Sequence, residues 1–368
     1  MRIAINCRSI TKAQRTGIGR YAHHLIEALA RIDAADDFSL YVPRGIFDLK
    51  RVTPKAPSRN FKIRRDLFNL GPARVCGPMD VYHLPSPDLI NVSGPKVVVT
   101  VHDLIDEVHP ESHTPETIAL SDTKMRSVVE RADKIICCSK TTRDDLHRFF
   151  KVDEARTCVI YQGVDRTVFF PLSAEEEGYA ANVLRELDIN SPFLLFVGTI
   201  EPRKNLAVLL EAFAALKSKK KFTGKLVVVG MKGWMMNTLS EQLGRLGLNG
   251  EVVFLGYVTD AQLRVLYNKS AAFVFPSLYE GFGFPIVEAF ACGAAVVASN
   301  TSSCAEVSGD AALSIDPHSP QDIAQAIQKI IEDPALKAFL KAKGLERAAR
   351  FSFDDTARQT LAVYQEVM

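Results

Sequence analysis

Short apolar runs rich in β-branched residues alternate with longer amphipathic stretches along the whole chain, a pattern that predicts parallel α/β architecture. Near the N-terminus, Arg2–Ile5 reads as a buried strand. Tyr21–Ile32 follows as a helix, with Leu25, Leu29 and Ile32 recurring on one face. Val81–His83, Val97–Val101, Ile135–Cys138 and Val159–Tyr161 supply further strands, and Ser139 stands where a side chain should cap the helix Thr141–Phe150. A polar stretch from Gln162 to Pro171 separates this series from a second one. There the helix-like Ser173–Leu187 precedes strands at Phe193–Val197, Leu226–Val229, Val252–Leu255, Ala272–Phe275, Ala295–Ala298 and Ala312–Ile315. Helices are expected at Leu206–Leu216 behind an Asn205 cap, at Asp260–Tyr267, and from Pro285 in its first position to just before Gly293. Pro320–Met368 reads as helical throughout.

A chain of 368 residues exceeds one ordinary core. The two series therefore predict an α/β protein of two doubly wound domains, 1–165 and 166–350. At 47% hydrophobic and 24% charged residues the composition is globular, and a net charge of +2 argues against nucleic acid as the partner. Seven cysteines without C-x-x-C spacing read as reduced thiols of a cytoplasmic protein. The chain opens on a strand rather than a signal peptide, and no apolar run reaches the ~18 residues of a membrane span. One segment departs from the average: between Arg44 and Arg74 nine basic residues face only Asp48 and Asp66. It is either a solvated, loop-rich surface or a polybasic patch facing anionic membrane lipid.

Doubly wound domains bind ligands at the carboxyl ends of their strands. After the first strand, Gly17 and Gly19 in Thr16-Gly17-Ile18-Gly19-Arg20 either let a ligand approach the backbone or form an ordinary tight turn. His102 ends the strand Val97–Val101; it either bonds a sugar hydroxyl or stabilises a reacting oxygen, or it is a structural histidine. Arg203 and Lys204 stand between a strand end and a helix start, where a diphosphate would dock. A unit charge pair at ~4 Å is worth ~4 kcal/mol at an effective dielectric near 20, and two cations there work against the helix dipole unless an anion joins them.

The densest constellation runs from Pro276 to Glu288. Glu280, read as ending its strand, can accept hydrogen bonds from vicinal sugar hydroxyls, and Glu288 can receive a ribose. The amides of Gly281, Phe282 and Gly283 point to where a phosphate would lie. Gly256, Tyr257 and Val258 either read a base edge or form a plain connection. No D-x-D-type carboxylate pair occupies a strand-end loop, so no metal is expected; nor is a cofactor expected.

These residues resemble the retaining glycosyltransferases of the GT-B fold, with Glu280 and Glu288 in that family's E-x7-E spacing within Ser277-Leu278-Tyr279-Glu280-Gly281-Phe282-Gly283. The resemblance spans nearly the whole chain. It implies two Rossmann-like domains facing across a cleft, an acceptor-binding N-terminal domain, a nucleotide-sugar-binding C-terminal domain, and a last helix, Phe351–Met368, crossing back. It implies that Gly17 and Gly19 line the diphosphate, His102 lies beside the donor sugar, Lys204 binds the phosphates, Glu280 the sugar and Glu288 the ribose. Many members carry an arginine where this chain has Thr199, and Arg203 is taken as the replacement cation. Gly198-Thr199-Ile200-Glu201-Pro202-Arg203-Lys204-Asn205 is similar to mannosyltransferases of cell-surface polysaccharide assembly. That implies GDP-mannose as donor, with another nucleotide diphosphate sugar such as a UDP-sugar as the alternative. The acceptor is then a glycan or polyprenyl-linked saccharide at the inner face of the cell membrane. Rival readings are a sugar-nucleotide epimerase, a phosphorylase, or a non-catalytic nucleotide-sugar-binding protein.

Overall fold

The computed structural model describes residues 1–11, 17–43, 53–112, 114–231 and 236–368. The chain forms two compact units, Met1–Gly163 with Ser352–Met368, and Val164–Phe351.

The first unit is built on seven strands: β1 (Arg2–Asn6), β2 (Asp37–Pro43), β3 (Phe61–Asp66), β4 (Val81–Leu84), β5 (Lys96–Val101), β6 (Lys134–Cys137) and β7 (Thr157–Val159). Their order is β3-β2-β1-β4-β5-β6-β7, and every neighbouring pair is parallel. The central strands β1, β4 and β5 are apolar on both faces and almost fully buried, as a sheet covered by helices requires. Two strands are absent from the sequence reading. Asp37–Pro43 is not among the predicted strands, and Phe61–Asp66, within the basic segment from Arg44 to Arg74, is the edge strand β3. Its outward positions Lys62 and Arg65 are exposed, so its pattern is that of a half-solvated edge rather than a core strand. Arg44, Lys50 and Arg51 lie outside the described residues.

The first helix spans Gly17–Ile32 and begins before Tyr21, so Gly17 and Gly19 belong to its first turn and not to a preceding loop. Thr16 lies outside the described residues. Ser139 caps Lys140–Phe150 by accepting the Thr142 amide, as its position predicts. The tail is three helices rather than one continuous stretch: Pro320–Glu332, Pro334–Ala348 and Phe353–Glu366. Pro334 cannot continue a helix, and the Asp333 side chain caps the next one by accepting the Leu336 amide.

Phe353–Glu366 packs in the first unit against Gly17–Ile32. Gly163 lies so close to it that a Cβ there would stand 2.1 Å from the Phe353 nitrogen. A buried polar chain fastens the helix to the sheet: Tyr364 Oη meets His83 Nδ1 at 2.6 Å, and His83 Nε2 meets Thr100 Oγ1 at 2.9 Å. Tyr21 Oη lies 3.2 Å from the same threonine. Burial pushes the His83 imidazole down to about 3, so it is neutral in the fold.

The sign of the pH effect follows directly. The unfolded histidine takes up a proton below about 6.5 and the folded one does not, so acid favours the unfolded state. Between pH 6.5 and 5 this one site should remove about 2 kcal/mol of stability. Urea unfolding of wild type and His83→Gln at both pH values checks it. The variant should lose that share of the pH dependence, and equal slopes would disprove it.

The second unit carries β8 (Phe193–Val197), β9 (Lys225–Val229), β10 (Val252–Gly256), β11 (Ala272–Phe275), β12 (Val296–Ser299) and β13 (Leu313–Ile315). They lie in the order β10-β9-β8-β11-β12-β13, again parallel throughout. Leu194, Phe196, Leu226, Val228, Val274 and Val297 form its core with Leu206–Ser218 and Pro320–Glu332 packed on top. All seven cysteines are free thiols.

Candidate active site

In each sheet the strand order reverses once, between β1 and β4 in the first and between β8 and β11 in the second. Loops diverge at such a point and leave a crevice at the carboxyl edge. The loops that leave β8 and β11 carry Arg203, Lys204 and Glu280. Phe275 ends β11, so Glu280 stands in the loop beyond the strand rather than at its end.

Two contacts lock these loops together, and a third ties them to the segment after β13. The Leu278 amide donates to the Arg203 carbonyl at 2.8 Å. Asn205 Nδ2 donates to the carbonyls of Pro276 at 3.0 Å and Pro317 at 2.6 Å. Asn205 is left-handed, φ 60° and ψ 33°, and makes no side-chain cap to the helix Leu206–Ser218, contrary to its expected role. Its amide is used across loops instead, and asparagine tolerates that backbone region better than most residues.

Lys204 and Glu280 are each only 7% exposed and form a salt bridge, Nζ to Oε1. Arg203 Nη1 reaches Glu280 Oε2 at 3.1 Å, and Arg203 Nη2 reaches Glu201 Oε1 at 2.7 Å. The two cations therefore meet two carboxylates, and the cluster is close to neutral before any ligand arrives. Burial pushes the Glu280 carboxyl up, but Lys204, Arg203 and their hydrogen bonds outweigh it and hold it below its ordinary value. Lys204 Nζ also lies 5.3 Å from the centre of the Phe275 ring. The sequence reading missed the residues that hold Glu280. Ser302 Oγ accepts its amide at 3.1 Å, and Ser303 Oγ donates to its carbonyl at 2.8 Å. The only sequence signal is the hydroxyl run Thr301-Ser302-Ser303 just past β12.

Glu288 sits within the helix Phe284–Ala291, buried, accepting the Tyr267 hydroxyl at 3.1 Å. Gly283 precedes that helix with φ 100°, and Pro285 occupies its second position rather than its first. Phe282 turns its ring into the packing against Phe351 and Phe284. At the other side of β8 the sheet edge ends in glycines: the Gly198 amide donates to Val229, and the Gly230 amide to Gly256. A Cβ on Gly230 would stand 2.0 Å from the Gly198 carbonyl oxygen, so only glycine permits this approach. Beyond Gly256, Tyr257 projects outward while Val258 is buried.

The first unit places His102 just past β5. Its Nε2 lies 2.7 Å from the Pro85 carbonyl, which only accepts, so that nitrogen carries the proton. Nδ1 accepts from the Gln162 amide at 2.8 Å. Burial lowers the basicity of the ring, so it is neutral, and both nitrogens are engaged. Gln162, far away in sequence, carried no signal. Tyr21, on the helix that starts at Gly17 and Gly19, sets its ring edge-on to His102 at 4.9 Å. At the β1/β4 reversal a cavity of about 200 Å³ is lined by Asn6, Arg8, Ser9, Pro85, Ser86 and Asp88, together with Ile18. Arg8 and Asp88 pair across it at 3.3 Å.

Comparison with known proteins agrees with this architecture. Residues 185–347 match the family described as "Glycosyl transferases group 1", and residues 15–168 match "Glycosyltransferase Family 4". The chain is 29% identical to the O-antigen chain mannosyltransferase B of Escherichia coli, over 95% of this chain and 96% of that one. It is 30% identical to the serotype-specific mannosyltransferase WbdA of Escherichia coli over 74% of its own length, but spans only 34% of that larger protein. Among solved structures, sucrose-phosphate synthase from Thermosynechococcus elongatus superimposes with a TM-score of 0.79 at 21% identity, covering 100% of this chain and 99% of that one. With both units matched in family and fold, the chain belongs to the group 1 glycosyltransferases of the GT-B fold, and it is a glycosyltransferase.

Proposed function

We propose that the protein transfers mannose from GDP-mannose to a hydroxyl of a glycan or polyprenyl-linked saccharide, with retention of anomeric configuration and without a metal. The observation that carries this reading is the buried Lys204–Glu280–Arg203 cluster at the strand-order reversal of the second unit. A diphosphate arriving there competes with Glu280 for the two cations. Lys204 and Arg203 then neutralise the leaving group, and the released Glu280 carboxylate accepts hydrogen bonds from the hexose. The exchange leaves both cations with an anionic partner and the freed carboxylate hydrogen-bonded rather than bare. Glu288 takes the ribose, the amides of Gly281, Phe282 and Gly283 face the phosphates, and Gly256, Tyr257 and Val258 meet the base. The Gly17 and Gly19 turn also serves the diphosphate, and His102 stands beside the donor sugar. In the transfer itself the bond from the anomeric carbon to the diphosphate breaks as the acceptor oxygen attacks the same face. The departing phosphate oxygen takes the acceptor proton.

The first unit is the acceptor-binding domain in this reading, supported by the cavity at its own reversal point. Its Arg8–Asp88 pair offers a donor and an acceptor to sugar hydroxyls. The mannosyl assignment rests on the names of the two Escherichia coli relatives, and a UDP-sugar is the alternative donor. Thermal unfolding with GDP, UDP, ADP and their sugars tests it, since a ligand that binds only the native state at a hundred times its Kd stabilises by about 2.7 kcal/mol. GDP and GDP-mannose should raise the midpoint most. A larger shift with UDP-sugars would replace the donor, and no shift with any nucleotide would overturn the site.

A further inference from the structure

We propose that a cavity at the amino edge of the second unit's sheet binds a small organic anion with an apolar body, apart from the Lys204–Glu280 cluster. Its volume is about 470 Å³, within the ~300–1,000 Å³ usual for small-molecule sites. Pro192 and Ala271 line it and stand directly before β8 and β11. Those strands are parallel, and their opposite ends lead to Lys204 and Glu280. A molecule held here leaves that cluster uncovered.

Phe222 and Ile330, both buried, join Ile331 in an apolar wall, and Lys220, Lys221 and Lys337 bring three cations to the same cavity. The acids alongside are committed. Glu332 pairs with Lys221 at 2.8 Å and accepts from Gln328 at 2.8 Å, and Asp333 accepts the Leu336 amide at 2.9 Å. Among the described residues, no carboxylate pairs with Lys220 or Lys337.

Lysines near a helix end often serve the helix. Lys221 fits that account, because it follows Leu206–Ser218, whose carbonyl end favours cations. Lys220 and Lys337 stand in less favourable places. Lys220 holds a left-handed φ of 52° in the turn after that helix. The Lys220 amide donates to the Lys217 carbonyl at 3.0 Å and the Lys221 amide to the Leu216 carbonyl at 2.9 Å. Glycine suits that position best, so this lysine stands there against the backbone's preference. Lys337 lies in the first turn of Pro334–Ala348, where positive charge opposes the helix dipole. It is half-buried, and burial, then the neighbouring Lys341, hold its ammonium below the ordinary lysine value. Two cations placed this way gain from an anion that the chain itself does not supply. The apolar wall selects the rest of the ligand. A bare inorganic anion would leave the wall wet, whereas a ring carrying a phosphate, sulfonate or carboxylate would use wall and cations together.

Fluorescence titration of the full chain with anilinonaphthalene sulfonate, an apolar ring system bearing one anionic group, tests the proposal. Uncharged phenylnaphthylamine is the control. Wild type should bind the sulfonate at one saturable site with blue-shifted emission, and Lys204→Ala should bind it equally well. Lys220→Gln combined with Lys337→Gln should weaken sulfonate binding by about tenfold, and binding of the uncharged probe by less than about twofold. Lys220→Gly keeps the test decisive if the double variant folds poorly, because it removes a cation while relieving the left-handed backbone. It should bind the sulfonate about threefold more weakly and melt no lower than wild type. No saturable binding by wild type, undiminished binding by either lysine variant, an equal loss with the uncharged probe, or binding lost in Lys204→Ala would each overturn it.

Discussion

Lys204→Ala and Glu280→Ala are each expected to lower turnover by more than tenfold, yet to differ in their cost to stability. Removing Glu280 strands the Lys204 ammonium in a buried site, and breaking a buried pair this way costs ~3–5 kcal/mol. Removing Lys204 leaves Glu280 with Arg203 at 3.1 Å, so its cost should be smaller. Urea unfolding gives the order, and activity measured well below both melting points separates lost chemistry from lost fold. A double variant should be less unstable than the sum of the two, because neither partner is then left alone. Full activity in both single variants would remove the cluster from the site. The pH sign is also set. The folded Glu280 carboxyl lies below its ordinary 4.5, so its contribution is complete above that pH and is lost as pH falls through the folded value. Glu280→Gln should abolish that acid limb.

Asn205→Ala should destabilise the second unit by roughly 3 kcal/mol or more, although Asn205 is not assigned to touch any substrate. The change abandons the Pro276 and Pro317 carbonyls, at ~1–3 kcal/mol for each buried group left unsatisfied, and puts alanine in the left-handed region. Asn205→Gly repairs only the backbone part, so it should recover about 1 kcal/mol and no more. Since Pro276 opens the Glu280 loop, both variants should also show a smaller thermal shift with the donor. A stable Asn205→Ala protein with wild-type nucleotide response would show that the two loops align without this amide.

The core strands were legible because they are apolar on both faces: Phe193–Val197 and Ala272–Phe275 lie where the pattern predicts. The edge strand Phe61–Asp66 was not, since four of its six side chains are charged, two of them exposed, and its periodicity is that of a polar loop. The helix Gly17–Ile32 began earlier than predicted because two glycines, weak formers by propensity, are carried into its first turn by the packing of the helix. Among site residues, Arg203, Lys204 and Glu280 were visible as charges in the loops that follow apolar strands. Gln162, Ser302 and Ser303 were not, because each acts on a partner brought near only by folding.

Alternating apolar runs and loop chemistry by themselves determined a parallel α/β chain with its reactive residues at the carboxyl ends of strands, since burial and turn geometry are local demands. Which residues would neutralise which was decided by tertiary structure alone. Strand order makes β8 and β11 neighbours, and only that adjacency sets a lysine against a carboxylate seventy-six positions away. Charge pairing depends on distance in space, and the chain's own spacing does not record it.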